Sequence, residues 1–309
     1  MSTVEPLVVS APEVTEEVLA APEAKAKKQR LPIGAWLSII WLVLIGGAAI
    51  LAPILPIEDP NAINGQIVNK GPSSDAWLGG TGNGQDVLAR CIWGARISLL
   101  VGVGAILFGL LIGGTFGLIA GYYKGKLDTF LTGGFDILLA IPQLVLALTL
   151  VTVLAPQGVD VTPTSFERIR VLILTLGIVS VPVLARITRA NTLAWAQREF
   201  VMAARAMGAR NARVILREVL PNVMPAMFSI ALLGVAVVIV VEGGLAIFGL
   251  SVPAPSMTWG TIIALGQGNL EKAPHVIFAP CAFIFLTVLS LNYLGDVVRA
   301  RFDVRGSVL

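Results

Sequence analysis

The chain has 309 residues, of which 56% are hydrophobic and only 13% are charged, and its mean hydropathy is +0.84. A soluble domain usually carries about a quarter charged residues, so this composition excludes an ordinary water-soluble protein and indicates that most of the chain lies in lipid. The net charge is only +3, and the spacing of Cys91 and Cys281 is typical of neither a metal site nor a redox centre.

The first 34 residues are polar and contain five glutamates. They have neither the basic start nor the short apolar core of a secretory signal. We predict that this N-terminal tail is disordered.

Six later stretches are apolar for long enough to cross a hydrocarbon core of about 30 Å as helices. They are residues 35–56, 97–121, 130–155, 171–190, 223–250 and 276–296. Each is continuously apolar rather than alternating, which favours helices over a barrel. The sequence therefore predicts an all-α polytopic membrane protein with six transmembrane helices.

The longest outer connection, residues 57–94, is rich in Gly, Pro and Asn. Its last part, from Gln85 to Arg96, has apolar residues at helical spacing. This pattern predicts an interfacial helix that leads into the second span.

Glycines recur every four residues in the second span, at Gly109, Gly113, Gly117 and Gly121. This spacing places them on one helix face, where another helix backbone can come close. Both a seam that moves during function and plain helix packing are compatible with it.

Prolines interrupt two of the predicted spans. Pro142 lies in the third and Pro182 in the fourth. Because proline removes a helix hydrogen bond, we expect kinks at both.

Four carboxylates lie in or beside predicted spans, where burial of a charge is costly. Asp128 and Asp296 are expected at the interface, and Asp136 is expected to pair with a basic loop residue. Glu242 lies well inside the fifth span. We favour structural pairing for Glu242, and contact with substrate remains the alternative.

Most of the 22 Lys and Arg residues follow or precede spans on one predicted side of the membrane, at residues 25–30, 124–126, 186–217 and 299–305. The positive-inside rule then places both termini in the cytoplasm. Nucleic-acid binding is the other interpretation of basic clusters, but these clusters alternate with spans.

Several enzyme classes lack their motifs. The nearest approach to a phosphate-binding loop, "GYYKGKLD", has three residues between Gly121 and Gly125 instead of four, and Leu127 where Ser or Thr is needed. The single histidine, His275, lies in a predicted outer loop, and no H-E-x-x-H is present. We therefore predict no catalytic residue, no metal site and no cofactor bound by this chain.

The longest predicted cytoplasmic connection is residues 190–222. Its first helix has an apolar face and is broken by Gly208, and a second helix is predicted from Asn211 to Leu220. Pro221 and Pro225 are expected to mark the return to the membrane. From the residues alone, this segment fits either a groove on a partner protein or a surface of anionic lipid. The predicted apolar face is Phe200, Met202, Ala203, Ala206, Met207 and Ala209.

The stretch "AARAMGARNARVILREVLPN" resembles the cytoplasmic loop of ABC importer permeases, with E-A-A, three residues, G, and then I and L-P. The matching positions are Ala203, Ala204, Gly208, Ile215, Leu220 and Pro221. Met202 stands where the family has Glu, and Glu199 precedes it without filling that position.

A second resemblance is more specific. "LGGTGNGQDVLARCIWGARISLLVG" is similar to the L-G-T-D-x-x-G-R-D-V-x-S-R-x-x-x-G-A-R-x-S-L signature of the dipeptide, oligopeptide and nickel permeases. Gly80 and Gly82 interrupt its start, and Gln85 replaces an arginine. Further segments, among them "FDILLAIPQLVLAL", "GLAIFGLSVPAPSMTWGTII" and "NYLGDVVRARFD", extend the resemblance over about residues 75–305, to the C-type subunit of this group.

The resemblance implies a type I ABC importer permease fold in the cytoplasmic, or inner, membrane of a prokaryote. The implied organisation is a cytoplasmic tail (1–34), a first transmembrane helix (35–56), an outer loop (57–94), a permease core (95–298) with a coupling loop (190–222), and a C-terminal tail (299–309).

The resemblance also implies partners: a second permease subunit, one or two ATPase subunits that hold ATP and Mg²⁺, and an extracytoplasmic peptide-binding protein, besides membrane lipid. No nucleic acid is implied. The implied ATPase-coupling residues are Glu199, Met202, Ala203, Ala204, Arg205, Gly208, Leu220 and Pro221. Glu242 and Asp136 are candidates for the pathway or for pairing within the bundle.

The expected function is ATP-driven import of di- or oligopeptides. Nickel, haem and glutathione remain alternative cargoes. An ion-coupled secondary transporter is a rival of another class, but it would favour internal repeats and several buried carboxylates.

Overall fold

The computed structural model describes residues 31–155 and 164–303. The predictions for the N-terminal tail and for the end of the C-terminal tail therefore concern residues that lie almost entirely outside the described chain. The compact unit that begins at Ile33 is helical and contains no named strand within the described residues. Its helices are α1 (Ile33–Leu51), α2 (Val87–Tyr123), α3 (Gly125–Leu139), α4 (Gln143–Leu154), α5 (Ser165–Trp195), α6 (Glu199–Ala206), α7 (Asn211–Val214), α8 (Leu220–Ile247), α9 (Trp259–Gly266) and α10 (His275–Asp303).

Five described segments are long and apolar enough to cross a membrane, and the bent pair α3–α4 would be a sixth. The five are α1, α2, α5, α10 and the continuous stretch Asn211–Ile247. α3 and α4 meet at an angle of 91° around Pro142. The predicted kink in the third span is therefore a full break, because proline cannot continue the backbone hydrogen bonding of α3.

The helix predicted at the interface from Gln85 to Arg96 is not a separate element. α2 begins at Val87, where the Asp86 side chain accepts a hydrogen bond from the Ala89 amide at 2.7 Å, and continues for 37 residues. No proline lies between Arg96 and Tyr123, so the predicted interfacial helix and the second span form one helix.

The glycine face of α2 packs along α5. A methyl group placed at Gly113, Gly117 or Gly121 would come within 2.8 Å of the carbonyl oxygen of Val181, Ala185 or Arg189, respectively. The constant offset between paired residues shows that the two helices run parallel and in register. This confirms the predicted close approach. α5 is continuous through Pro182.

The second helix predicted in the 190–222 segment does not end at Leu220. α7 passes through a π-helical turn, Ile215–Val219, directly into α8. The Leu220 amide donates to the Ile215 carbonyl across this wider turn. Pro221 then occupies the first turn of α8 and Pro225 lies inside that helix, so the helix that begins at Asn211 continues through both prolines.

α1 packs against α10. The Trp41 indole donates a hydrogen bond to the Thr287 hydroxyl at 3.1 Å, and its ring meets Phe283 edge to face. Gly34 lies against the Tyr293 ring, where a methyl group would come within 2.7 Å. The first span is thus joined to the last one.

Loops and helix starts gather at one end of the bundle, which we call the loop end. There the Ser98 hydroxyl accepts a hydrogen bond from the Trp259 amide at 3.0 Å, and His275 Nε2 lies 3.0 Å from the Gly80 carbonyl oxygen. The opposite end, which we call the α6 end, holds α6 together with the last turns of α2 and α5. The two ends contain different candidate sites.

Candidate functional site

α6 is a short helix that packs on the bundle mainly through Val201. Val201 is its only fully buried residue, and it lies in a small apolar cluster at the α6 end. The other buried members come from α2, from the end of α5 and from the stretch that leads into α8. They are Tyr122, Ala196, Val214, Val219 and Val223.

Tyr122 holds this region together with polar contacts as well. Its hydroxyl donates a hydrogen bond to Asn211 Oδ1 at 3.0 Å, and the Arg205 guanidinium lies 4.5 Å from its ring centroid. One aromatic ring at the end of α2 thus contacts α6 and the first residue of α7. Tyr122 therefore connects α6 to two long helices, α2 and the helix that begins at Asn211.

Gly208 ends α6 in a left-handed conformation, with φ of +81°. Its amide donates to the Arg205 carbonyl at 2.9 Å, and the Ala209 amide donates to the Ala204 carbonyl at 3.1 Å. A methyl group at Gly208 would meet no atom within 4 Å. The requirement for glycine here is therefore a backbone requirement, which is common at helix C-termini.

The face of α6 that points away from Val201 is exposed and largely apolar. Met202 is 53% exposed and Met207 81% exposed, and Phe200, Ala203 and Ala206 are exposed beside them. We call these five residues the α6 surface. An apolar group of this kind on a membrane-protein segment is typical of a contact with a partner or with lipid.

The residues predicted for the coupling loop fall into two groups. Glu199 and Arg205 are also exposed on α6, and Ala204 is half-buried on the side of Val201. Leu220 is half-buried and Pro221 exposed at the start of α8, so neither belongs to the α6 surface. Their separation results from the unbroken helix that begins at Asn211.

Sequence reasoning missed the anchor of this site. Val201 lies three residues before Ala204, which would have been a signal for an inward face opposite the more conspicuous Met202 and Met207. The contacts of Tyr122 had no local signal, because Asn211 and Arg205 lie more than eighty residues away along the chain.

Two arginines of α5 pair with the aspartates of α3. Arg186 Nη2 and Asp136 Oδ1 are 2.5 Å apart in an exposed salt bridge. Arg189 binds Asp128 with two hydrogen bonds, one of them from Nη2 to Oδ2 at 2.6 Å. The partner of Asp136 is thus an arginine within a helix, not in a loop, and Asp128 is paired as well.

Glu242 is buried near the loop end, with 1% of its surface exposed. Its Oε1 accepts hydrogen bonds from the hydroxyls of Ser251 and Thr258, the second at 2.8 Å. Its Oε2 has no hydrogen-bond partner. Hydroxyls from the segment after α8 therefore fix this carboxylate, and no arginine or lysine of the described chain forms a salt bridge with it.

An apolar cavity of about 330 Å³ lies between α5 and α8. Gln143, the first residue after the break at Pro142, and Ser180 are the polar residues that line it. No group of three or more His, Cys, Asp or Glu side chains that could hold a metal ion occurs within residues 31–155 and 164–303.

The long apolar helices, with the bent α3–α4 pair among them, define a polytopic membrane protein, and the short helix α6 is exposed at one end of it. Residues 113–306 match the family of binding-protein-dependent transport system inner membrane components, and the chain belongs to this family. It is a multi-pass inner-membrane permease, a transport component rather than a catalytic one.

Relatives support this assignment over most of the chain. The dipeptide transport system permease protein DppC of Alkalihalophilus pseudofirmus is 34% identical over 90% of this chain and 86% of the relative. The oligopeptide permease protein OppC of Bacillus subtilis is 34% identical over 87% and 85%, respectively. The glutathione permease protein GsiD of Pectobacterium atrosepticum is 32% identical over 89% and 87%.

A solved structure shows the same fold. A chain of the inward-facing MetNI methionine ABC transporter superimposes with a TM-score of 0.57 at 18% sequence identity, covering 69% of this chain and 96% of that one. A second crystal form gives a TM-score of 0.54. The fold is therefore that of an ABC importer permease.

Proposed function

We propose that this chain is the permease subunit of an ATP-driven importer of di- or oligopeptides, and that it couples to separate ATPase subunits through α6. The observation that carries the proposal is the α6 surface: exposed apolar side chains on a helix that is fixed to the ends of two long helices. Small side chains at Ala203 and Ala206 would let the backbone of α6 lie close to the floor of a groove in an ATPase.

The contacts of α6 provide a route for movement. A displacement of α6 would act on α2 through Tyr122 and on the fifth span through Asn211, because the chain is helical from Asn211 to Ile247. ATP binding to the docked partners would bias a bundle with two states, inward-open and outward-open, in the direction that these contacts transmit.

The lengths of the helices support an α6 that lies outside the hydrocarbon. α5 has 31 residues and the Asn211–Ile247 helix has 37, which correspond to about 46 and 55 Å at 1.5 Å per residue. The hydrocarbon core is about 30 Å thick, so these helices extend beyond it. Together with the arginines between Arg186 and Arg217, this favours a cytoplasmic α6 and cytoplasmic termini.

The remaining parts of the proposal concern partners. ATP and Mg²⁺ would be held by ATPase subunits, because the sequence has no phosphate-binding loop. A second permease subunit would complete the pathway, and the 330 Å³ apolar cavity between α5 and α8 is a candidate for its lining. A peptide-binding protein would deliver cargo at the loop end.

The cargo class follows from the relatives, whose names refer to dipeptides, oligopeptides and glutathione. Glutathione is therefore the second candidate, and it shares a peptide backbone and free carboxylates with the first. Nickel and haem have no comparable support here, since no His or Cys cluster occurs in the described chain.

The test is reconstitution of the whole transporter in liposomes, with a second permease subunit, ATPase subunits and a peptide-binding protein. We expect ATP-dependent uptake of labelled dipeptide, with glutathione as the competing cargo. Ala203→Arg should abolish ATP-coupled uptake without preventing membrane insertion. Ala194→Arg, at an exposed alanine of α5, is the control and should leave uptake intact. A chain that purifies alone and transports without ATP would refute the proposal.

A further inference from the structure

A cavity of about 450 Å³ opens at the loop end, far from α6. It is bordered by the starts of α2 and α5 and by the segment that follows α8. This volume lies within the range of small-molecule sites, about 300–1,000 Å³. Two arginines line it, Arg90 from the first turn of α2 and Arg168 from the first turn of α5.

Both guanidinium groups are incompletely satisfied. Arg90 is only 7% exposed, and its Nε atom is buried without a hydrogen-bond partner. The Nε atom of Arg168 is likewise buried and unpartnered. Neither arginine forms a salt bridge within the described residues. Arg90 is a buried charge without a counterion, which is costly, and the half-buried Arg168 beside it is also without a salt bridge. An anionic ligand would supply the missing counterion to both.

The carboxylates nearby do not serve as that counterion. No aspartate or glutamate of the described residues lines the cavity. Glu242, whose Oε1 accepts from the hydroxyls of Ser251 and Thr258, does not line the cavity and forms no salt bridge with either arginine. Asp86 accepts from the Ala89 amide as the cap of α2. Glu167 is turned toward Thr164, whose amide donates to it at 2.9 Å.

The position of Arg90 is fixed by its surroundings. Its Nη1 donates to Gln85 Oε1 at 2.5 Å. Gln85 in turn belongs to a closed turn, because its amide donates to the Thr81 hydroxyl at 3.0 Å and its carbonyl accepts from the Thr81 amide at 2.9 Å. A ready-made site with little ordering cost results, which is a condition for selective binding.

The rest of the lining is neutral and polar near the arginines. Asn61, Asn83 and Ser256 supply amide and hydroxyl groups that can accept as well as donate. A zwitterionic peptide needs both kinds of partner, with cations for its carboxylate and oxygen atoms for its ammonium group. Guanidinium groups bind carboxylates with strong, often paired hydrogen bonds.

We propose that this cavity binds the free C-terminal carboxylate of an incoming cargo peptide through Arg90 and Arg168. The inference rests on the proposed function and adds a site of cargo recognition within the permease itself. The site would admit peptides with a free acid end at the outer face and disfavour peptides whose end is amidated.

The experiment uses the complete transporter in liposomes, with its binding protein and ATPases. Uptake of a labelled dipeptide is compared with uptake of the same dipeptide carrying a C-terminal amide, each corrected for its measured affinity for the binding protein. We expect Arg168→Gln to lower uptake of the free acid about tenfold or more, and to change uptake of the amide little, because the amide lacks the charge that Arg168 binds.

Arg170→Gln is the matched control. Arg170 lies on the same helix two residues away and packs over the Phe166 ring, but it does not line the cavity. It should leave both uptake rates at the wild-type value. Arg168→Lys keeps the positive charge but lacks the planar guanidinium group with its paired donors. Its uptake of the free acid should therefore lie between that of Arg168→Gln and that of the wild type. Gel filtration of each purified complex verifies assembly.

A carboxylate that binds these arginines could also come from the binding protein instead of the cargo. Stimulation of ATP hydrolysis by the loaded binding protein distinguishes the two sources. If Arg168→Gln lowers this stimulation and reduces uptake of acid and amide equally, the arginines bind an acidic side chain of the binding protein and the proposal is overturned. Equal behaviour of Arg168→Gln and Arg170→Gln also overturns it. A wild-type transporter that takes up no peptide at all would instead refute the proposed function.

Discussion

Gly113 of α2 and the Val181 carbonyl of α5 meet backbone to backbone: a methyl group at Gly113 would come within 2.5 Å of that oxygen. The same contact recurs one turn later at Gly117 and Ala185. Because both helices present backbone, neither can move away from a larger side chain without opening the whole seam.

Gly113→Ala should therefore destabilise the protein by about 1–3 kcal/mol, as overpacking usually does. The measurement is thermal unfolding of the purified protein in detergent. Gly133→Ala is the control, since Gly133 lies in α3 with no atom within 4 Å of an added methyl. Equal stability of the two variants would show that the seam opens freely.

Tyr122 is expected to matter for coupling through its ring more than through its hydroxyl. Tyr122→Phe removes the hydrogen bond to Asn211, worth about 1 kcal/mol, and keeps the stacking of Arg205. Tyr122→Ala removes both and leaves a void beside Val201. We expect uptake per ATP hydrolysed to fall strongly in Tyr122→Ala and slightly in Tyr122→Phe. The reverse order would argue against a mechanical role of the ring.

Gly208 offers a graded test of the α6 C-terminus. No atom lies near an added side chain there, so the penalty comes from the left-handed backbone alone. Gly208→Asn should be tolerated better than Gly208→Val, because asparagine adopts this conformation several times more often than β-branched residues. ATP-coupled uptake should follow that order while membrane insertion remains normal. Full uptake by Gly208→Val would contradict the docking role of α6.

The attachment of α3 to α5 should depend on Asp128 more than on Asp136. α3 has no buried residue, and Asp128 is bound by two hydrogen bonds with 13% of its side chain exposed, whereas the Asp136 side chain is 54% exposed. Exposed ion pairs contribute at most about 1 kcal/mol. Hydrogen–deuterium exchange of residues 125–139 should therefore rise in Asp128→Asn and change little in Asp136→Asn. Exchange that is equal in both would show that neither pair holds α3.

Two substitutions can show whether Glu242 has a structural role or a role in transport. Glu242→Gln keeps an acceptor for Ser251 and Thr258, so we expect normal uptake and nearly normal stability. Glu242→Leu leaves both hydroxyls without their acceptor, at a cost of about 1–3 kcal/mol for each buried group. Thermal unfolding and dipeptide uptake are measured together. Loss of uptake in a stable Glu242→Gln protein would indicate a role of the charge in transport.

Continuous apolar runs and special residues determined much of this protein from the sequence alone. The bilayer requires long apolar runs, and the lipid leaves no alternative to helices for them, so six candidate spans could be read from the sequence, although the third is broken at Pro142. Glycines at intervals of four indicated a close backbone contact, because a residue without a side chain lets another helix backbone come close. Gly208 likewise marked the end of α6 by its backbone freedom.

Only the tertiary structure decided which distant groups meet. Arg90 and Arg168 share one cavity because α2 and α5 run parallel, and Arg189 reaches Asp128 because α3 runs back along α5. Local patterns also could not show that the helix from Asn211 continues past Pro221, since that depends on the π turn before it. Local geometry follows from the residue and its neighbours, whereas the pairing of charges across helices depends on how the whole bundle packs.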